Sequence, residues 1–134
     1  MKKYIFVILC ILLMFGLYSC SGQVSDEKKP NMVSEIYSEK DIISAIDAIK
    51  AEFEKDWSGC TLTEIYYAGD EYSKGFQDWA DRNNADEVIV LLSSFDVAAS
   101  GADGSLNPNS TYSDWNWILV RTNGGQWVHV DHGY

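Results

Sequence analysis

The chain has 134 residues, which is enough for one domain. Its twenty acidic and ten basic side chains give a formal net charge of −10, which would repel phosphate backbones, so nucleic-acid binding is not expected. Aromatic residues make up 13% of the chain, too many for a disordered protein, which lacks the apolar groups needed to offset chain entropy. We therefore expect one folded, acidic domain.

The N-terminal segment has the pattern of an export signal. Lys2 and Lys3 precede an uncharged stretch, residues 4–18, and small residues follow it. A membrane-spanning helix needs about 20 apolar residues, so this stretch is short for a permanent anchor. Loss of the two lysines would leave eight basic and twenty acidic side chains, a net charge of −12, which keeps a surface away from anionic lipid headgroups.

Leu17, Ser19 and Cys20 resemble the lipobox of bacterial lipoproteins. The resemblance implies a signal peptide over residues 1–19, cleavage before Cys20 and acylation of that cysteine, with palmitate or a similar chain in the bilayer. Lipid on Cys20 would then be the protein's contact with the membrane. We expect a lipid-anchored protein on the extracytoplasmic face of the cell membrane.

The rest of the chain divides into a tether and a single domain. Residues 20–35 contain the lipidated cysteine and a polar stretch without hydrophobic periodicity, which predicts a flexible tether. The domain is predicted over residues 36–134. Cys60 then has no cysteine partner in the mature chain, so a disulfide framework is excluded. Cys60 is either a reactive thiol or a buried apolar residue, and we favour burial.

Two helices are predicted in the first half of the domain. Ser38 and Asp41 match a capping box, and the apolar row that follows has the period of an amphipathic helix over residues 39–56. That row is Ile42, Ile46, Ile49 and Phe53. A second helix is predicted over residues 71–82, with an aromatic row of Tyr72, Phe76 and Trp79. Such a row forms either core or a ligand platform, and we favour core.

Four strands are predicted from runs of β-branched, aromatic and aliphatic residues. Their ranges are 60–67, 88–97, 112–121 and 126–132. A long connection rich in Gly, Ser and Asn, residues 99–111, joins the second strand to the third. Three acids flank this loop, namely Asp96, Asp103 and Asp114, but they lack the alternating spacing of a calcium-binding loop.

The last two strands form a predicted antiparallel hairpin, for which two registers remain open. A loop over residues 123–125, closed by Thr122 and Gln126, separates two faces cleanly because side chains alternate along a strand. One face, predicted to be dry and part of the core, then holds Ile118, Val120, Val128 and Val130, and the other holds Trp115, Trp117, Leu119, Trp127, His129 and Asp131. A two-residue turn would mix Val, Trp and His on each face. The clean separation favours the first register.

The order helix, strand, helix and three strands, closed by the hairpin WNWILVRTNGGQWVHVDHGY, resembles the nuclear-transport-factor-2-like (cystatin-like) superfamily. The resemblance implies an α+β fold in which a curved antiparallel sheet wraps around helices to form a cone, often with a pocket at its open end. The strand DEVIVLLSSF, Asn107-Pro108 and residues 129–134 also resemble a family of small bacterial lipoproteins of unassigned function. Fold alone does not assign an activity.

Residues 129–132 concentrate the titratable groups that suit catalysis or metal binding. His129 and Asp131 are two apart on a strand and are expected to share a face, where they would act as a base and its orienting acid. His132 is expected on the opposite face. Two histidines on opposite faces do not close around one zinc ion, so neither a metal nor another cofactor is expected.

Two functions are consistent with this sequence. We favour a non-catalytic module that binds a small apolar ligand or an envelope protein through Trp115, Trp117, His129 and Asp131. The alternative is an extracytoplasmic hydrolase or isomerase that uses His129 and Asp131. The tryptophan rings of the hairpin are either sheet core beneath the helices, which we favour, or the wall of an apolar pocket.

Overall fold

The computed structural model describes residues 22–24, 33–102 and 104–134, which form an α+β fold with three helices and one five-stranded sheet. The predicted signal peptide and Cys20 lie outside the described residues. The elements are β1 (Gln23–Val24), α1 (Glu39–Asp56), β2 (Cys60–Tyr67), α2 (Asp70–Lys74), α3 (Gln77–Arg82), β3 (Glu87–Val97), β4 (Thr111–Arg121) and β5 (Val128–Gly133).

The long helix α1 has the predicted bounds, and its capping box is confirmed. The amide of Asp41 donates to Ser38 Oγ and the amide of Ser38 donates to Asp41 Oδ2, both at 3.1 Å. These bonds satisfy backbone donors that the first turn of a helix leaves unpaired. The predicted apolar row is buried against the sheet together with Ala45.

The predicted second helix is divided into two short helices. Phe76 leaves helical geometry at φ −109° and ψ 15°, directly after Gly75, whose helix propensity is low. The buried hydroxyl of Ser73 accepts a bond of 3.1 Å from the amide of Val90, which fixes α2 against β3. The break at residues 75–76 lets α3 take its own direction over the sheet.

The sheet has the strand order β1-β2-β3-β4-β5, and all neighbouring pairs are antiparallel except β1 with β2. It is not strongly curled. Helix α1 covers one face, where it packs on Leu91, Trp117 and Leu119. Helix α3 covers the other face, where Ala80 packs with Val90. Because helices lie on both faces, β3 is buried on both sides, as its unbroken apolar run predicts.

The hairpin of β4 and β5 confirms the favoured register next to the turn and departs from it further on. Val120 faces Val128, and Leu119 faces His129, as a loop over residues 123–125 requires. Val128 is nevertheless 57% exposed, so its predicted place in the core is wrong. The strand lies at the sheet edge, where no helix covers this position.

A β-bulge in β5 changes which side chains share a face. Leu119 faces His129, whereas Ile118 faces Asp131 and Trp117 faces His132, so one extra residue is accommodated on β5. One extra residue reverses the alternation of side chains beyond it. The prediction that His129 and Asp131 share a face, with His132 opposite, is therefore wrong: the two histidines share the α1 face, and Asp131 lies on the other.

Strand β1 belongs to the segment predicted as a tether. Gln23 and Val24 pair with Thr61 and Leu62 of β2, and the amide of Gly22 donates to the carbonyl of Glu54 at 3.0 Å. Gly22 is buried so closely that a Cβ atom there would lie 2.0 Å from the carbonyl oxygen of Phe53. This part of the segment is thus packed on the domain. Within the described residues, no helix is long and apolar enough to cross a membrane.

Arg121, at the end of β4, connects the start of α1 with the start of β3. Its guanidinium donates to Asp41 at 2.8 Å and to Glu87, and it lies 4.3 Å from the ring centre of Trp127. The bond from Arg121 is the main cause that lowers the pKa of Asp41 from 3.8 to about 2. The same carboxylate therefore caps α1 and pairs with β4.

Candidate functional site

A cavity of about 550 Å³ lies where the end of α1, the start of β2, the loop after β3 and the strands β4 and β5 come together. Its volume falls within the range of about 300 to 1,000 Å³ that is usual for small-molecule sites. The described residues that line it are Glu52, Asp56, Trp57, Ser58, Cys60, Ala102, Ser105, Leu106, Trp115 and His132.

The end of α1 sets the position of the first wall of the cavity. Trp57 caps the helix in a non-helical conformation, and its ring stacks on Phe53 with ring centres 5.4 Å apart and planes 10° apart. Gly59 follows with a φ of +81°, and a Cβ atom there would lie 3.1 Å from Cα of Ala102. A glycine is therefore required where the loop after β3 closes over this end of the cavity.

Three rings form the aromatic side of the cavity. Trp57 and Trp115 meet edge to face, with centres 6.1 Å apart and planes at 82°. The His132 ring lies 5.2 Å from Trp57 and 6.0 Å from Trp115. The indole N–H of Trp115 is buried and has no hydrogen-bond partner in the described part of the chain. The aromatic side of the cavity is therefore closely packed, but it contains one buried N–H group that has no hydrogen-bond partner in the described chain.

His129 is held by groups on both of its ring nitrogens. Its Nδ1 lies 2.8 Å from each carboxylate oxygen of Glu52, and its Nε2 lies 3.0 Å from the carbonyl oxygen of Asp131. The acid that meets His129 is thus Glu52 of α1, while Asp131 contributes its backbone.

His132 connects this pair to the cavity. Its Nδ1 lies 3.3 Å from Nε2 of His129. Burial, and secondly the neighbouring His129, lower the pKa of His132, which favours its neutral ring at neutral pH. His132 therefore presents to the cavity a flat ring without a full positive charge.

The four residues predicted to bind a ligand occupy four different environments. Trp115 lines the cavity, whereas Trp117 is 0% exposed and its Nε1–H donates to the buried Ser93 hydroxyl at 2.7 Å. His129 lies behind the cavity on Glu52, and Asp131 lies on the other face of the sheet. The structure thus brings only Trp115 of this group to the cavity wall.

Several lining residues are not among the predicted site residues. Trp57 continues the apolar row of α1 by one more turn, and this is the only sequence signal that it faces inward. Glu52 gives no such signal, because its partner His129 lies 77 residues away. Cys60 is buried, which confirms the favoured interpretation. Among residues 22–24, 33–102 and 104–134, no group of three or more His, Cys, Asp or Glu side chains is placed to hold a metal ion.

Comparison with known proteins leaves the site to be interpreted from its own geometry. No family model, no curated protein and no solved structure matches the chain. The site is a cavity lined by three rings and two carboxylates. Beside it lies His129, whose two ring nitrogens both contact protein groups.

Proposed function

We propose that the protein is a non-catalytic binding module, anchored outside the cell membrane by lipid on Cys20, that holds a small ligand with an apolar body. The observation that carries the proposal is the cavity of about 550 Å³ walled by Trp57 and Trp115. The apolar area that a ligand removes from water there contributes about 25 cal/mol per Å². A concave site of this volume suits a small molecule better than a flat protein surface does.

The contacts of the histidines favour binding over the alternative, a hydrolase or isomerase. A general base needs a ring nitrogen that can reach the substrate. Both nitrogens of His129 face protein groups, and His129 does not line the cavity. His132 does line it, and its contacts in the described chain are with aromatic rings and His129. Glu52, the acid that could orient a catalytic base, contacts His129, which does not line the cavity. His132 lines the cavity and lacks that contact.

We also propose membership of the small-lipoprotein group with a nuclear-transport-factor-2-like domain. The order of elements and the Trp-rich hairpin support it. The weak curl of the sheet and the helices on its second face are departures from a cone wrapped around its helices.

Binding of the neutral dye Nile red tests the proposed function, with the domain of residues 22–134 in detergent-free buffer. We expect a blue-shifted dye emission and, in Trp115→Ala, a dissociation constant raised at least about tenfold, because an aromatic wall contributes roughly 1.5 kcal/mol or more. Trp79→Ala is the matched control, because Trp79 packs on the other face beneath Arg82. Equal loss of Nile red affinity in both variants would contradict the proposal.

A further inference from the structure

The charges around the cavity have one sign. Glu52 and Asp56 line it, and no Lys or Arg is among the described lining residues. His132 adds little positive charge, because burial and His129 favour its neutral form. The whole chain is also acidic, with a formal net charge of −10. A cavity with carboxylates on an acidic protein concentrates cations and repels anions.

The ring geometry favours the same kind of ligand. Ring faces carry the negative part of the aromatic quadrupole, so a cation above a tryptophan face is attracted to it. Trp57 and Trp115 stand at 82° to each other, and His132 adds a third ring 5.2 Å from Trp57. Because Trp57, Trp115 and His132 all line the cavity, a ligand inside it meets more than one aromatic ring.

We propose that the ligand of this cavity is a small organic cation with an apolar body, an alkylammonium or quaternary ammonium compound. The inference rests on the proposed function and adds the ligand's chemical class. Its charged group lies near Asp56 and Glu52, and its alkyl groups contact Trp57 and Trp115. The Glu52 carboxylate is already in contact with His129 at 2.8 Å. Asp56, which lies one helical turn further on, therefore makes the larger contribution to binding the cation.

Other ligand classes fit the lining less well. An anion would approach two carboxylates without a described Lys or Arg to receive it. A neutral apolar molecule would take water from those carboxylates and return no charge to them, which costs binding free energy. A cation compensates the Asp56 carboxylate, and its alkyl groups contact the rings.

A pair of probes with one shape separates charge from size. Choline and its neutral isostere 3,3-dimethylbutan-1-ol differ by a nitrogen cation in place of a carbon atom. Titration of the ¹⁵N-labelled domain, followed by the amide and indole signals of the lining residues, gives both dissociation constants. We expect choline to bind at least tenfold more tightly, and we expect added salt to weaken only choline binding.

Two matched variants locate the charge effect. Asp56→Asn removes a lining carboxylate, whereas Asp47→Asn removes an exposed carboxylate from the same helix, away from the cavity. We expect Asp56→Asn to weaken choline binding several-fold and to leave binding of the isostere unchanged. Asp47→Asn should change neither. Equal effects of the two variants would mean that choline responds to the overall charge of the protein. That result would overturn the assignment of the cationic ligand to this cavity.

The outcomes distinguish the cationic ligand from the proposed function. Equal affinity for choline and its isostere overturns the cationic ligand and leaves the binding module standing. Nile red binding at the lining residues, with no response to choline, also overturns the cationic ligand alone. If Nile red and both small probes leave the lining signals unmoved, the proposed function itself fails, and the cationic ligand fails with it.

Discussion

At the level of single residues, two tryptophans of β4 differ in how their indole N–H groups are satisfied. Trp117 donates to the buried Ser93 hydroxyl at 2.7 Å, while the buried N–H of Trp115 has no partner in the described chain. A buried donor without a partner costs about 1–3 kcal/mol. The hydrogen bond of Trp117 therefore stabilises the fold, whereas the buried N–H of Trp115 lowers the stability of the fold.

Replacement of each tryptophan by phenylalanine tests this difference. Trp117→Phe removes ring area and leaves the Ser93 hydroxyl without its donor, whereas Trp115→Phe removes ring area and an unsatisfied group. We expect Trp117→Phe to lower the free energy of unfolding by about 1–3 kcal/mol more than Trp115→Phe does. Urea denaturation followed by circular dichroism measures both. Equal losses would mean that the Trp115 N–H has a partner in solution.

The ion pair of Asp41 and Arg121 predicts a loss of stability in acid. The folded pKa of Asp41 is about 2, below its usual 3.8, so the carboxylate stabilises the fold above pH 4 and this contribution disappears as the pH falls toward 2. Asp41 is 30% exposed, so solvent screens part of the effect and about 1–2 kcal/mol remains.

Asp41→Asn is the variant that checks this. We expect its free energy of unfolding to lie below that of the native protein at pH 7, and the gap to close between pH 4 and pH 2. Asp47→Asn, on the exposed side of α1, should show no such convergence. A gap that stays constant down to pH 2 would assign the effect to helix capping alone.

At the level of elements, the hydrophobic periodicity of the sequence predicts the bounds of those helices and strands that local interactions determine. The apolar row of α1 and the β-branched run of β2 have the predicted bounds, because each pattern spans its whole element. The break between α2 and α3 follows Gly75, and the bond that fixes α2 on β3 through Ser73 is a contact that no local pattern contains. The bulge in β5 lies inside a regular alternating run, and it decides that His132, not Asp131, joins the cavity.

The candidate site is harder to predict than the fold for the same reason. Trp115 is recognisable from its strand, but the cavity also needs the end of α1 and the loop after β3. The contact of Glu52 with His129 joins elements 77 residues apart. Such contacts depend on how α1 lies across the sheet, and one sequence does not encode that angle in any short segment.

Two isoleucines of α1 that differ in burial test the contribution of this helix to the core. Ile46 is 3% exposed and Ile43 is 40% exposed. Truncation of a fully buried isoleucine to alanine removes packed methyl groups and leaves a cavity, so Ile46→Ala should lower the free energy of unfolding by about 2–5 kcal/mol. Ile43→Ala should cost under about 1 kcal/mol. Thermal and urea unfolding measure both, and similar values would contradict the assigned orientation of α1.

At the scale of the whole molecule, β1 brings the predicted lipid site close to the domain. Gly22 is packed on the carbonyl of Phe53, at the end of α1 that lines the cavity. Cys20 precedes Gly22 by two residues, a span of at most about 7 Å. A lipid on Cys20 would therefore hold this end of the domain near the bilayer surface for as long as β1 remains paired.

Membrane attachment through Cys20 is itself a prediction, and it can be tested with paired cysteine variants. Cys20→Ser removes the sulfur that would carry the lipid, so the protein should either accumulate as an unprocessed precursor or leave the membrane fraction. Cys10→Ser changes a cysteine inside the predicted signal peptide and should leave processing and location unchanged. Fractionation and the apparent mass on a denaturing gel measure both, with metabolic labelling by a fatty acid as a direct readout of acylation. Because the acidic domain gains little from anionic headgroups, the predicted attachment would depend on the lipid alone. A Cys20→Ser protein with native mass and native membrane fraction would show that another feature holds it there.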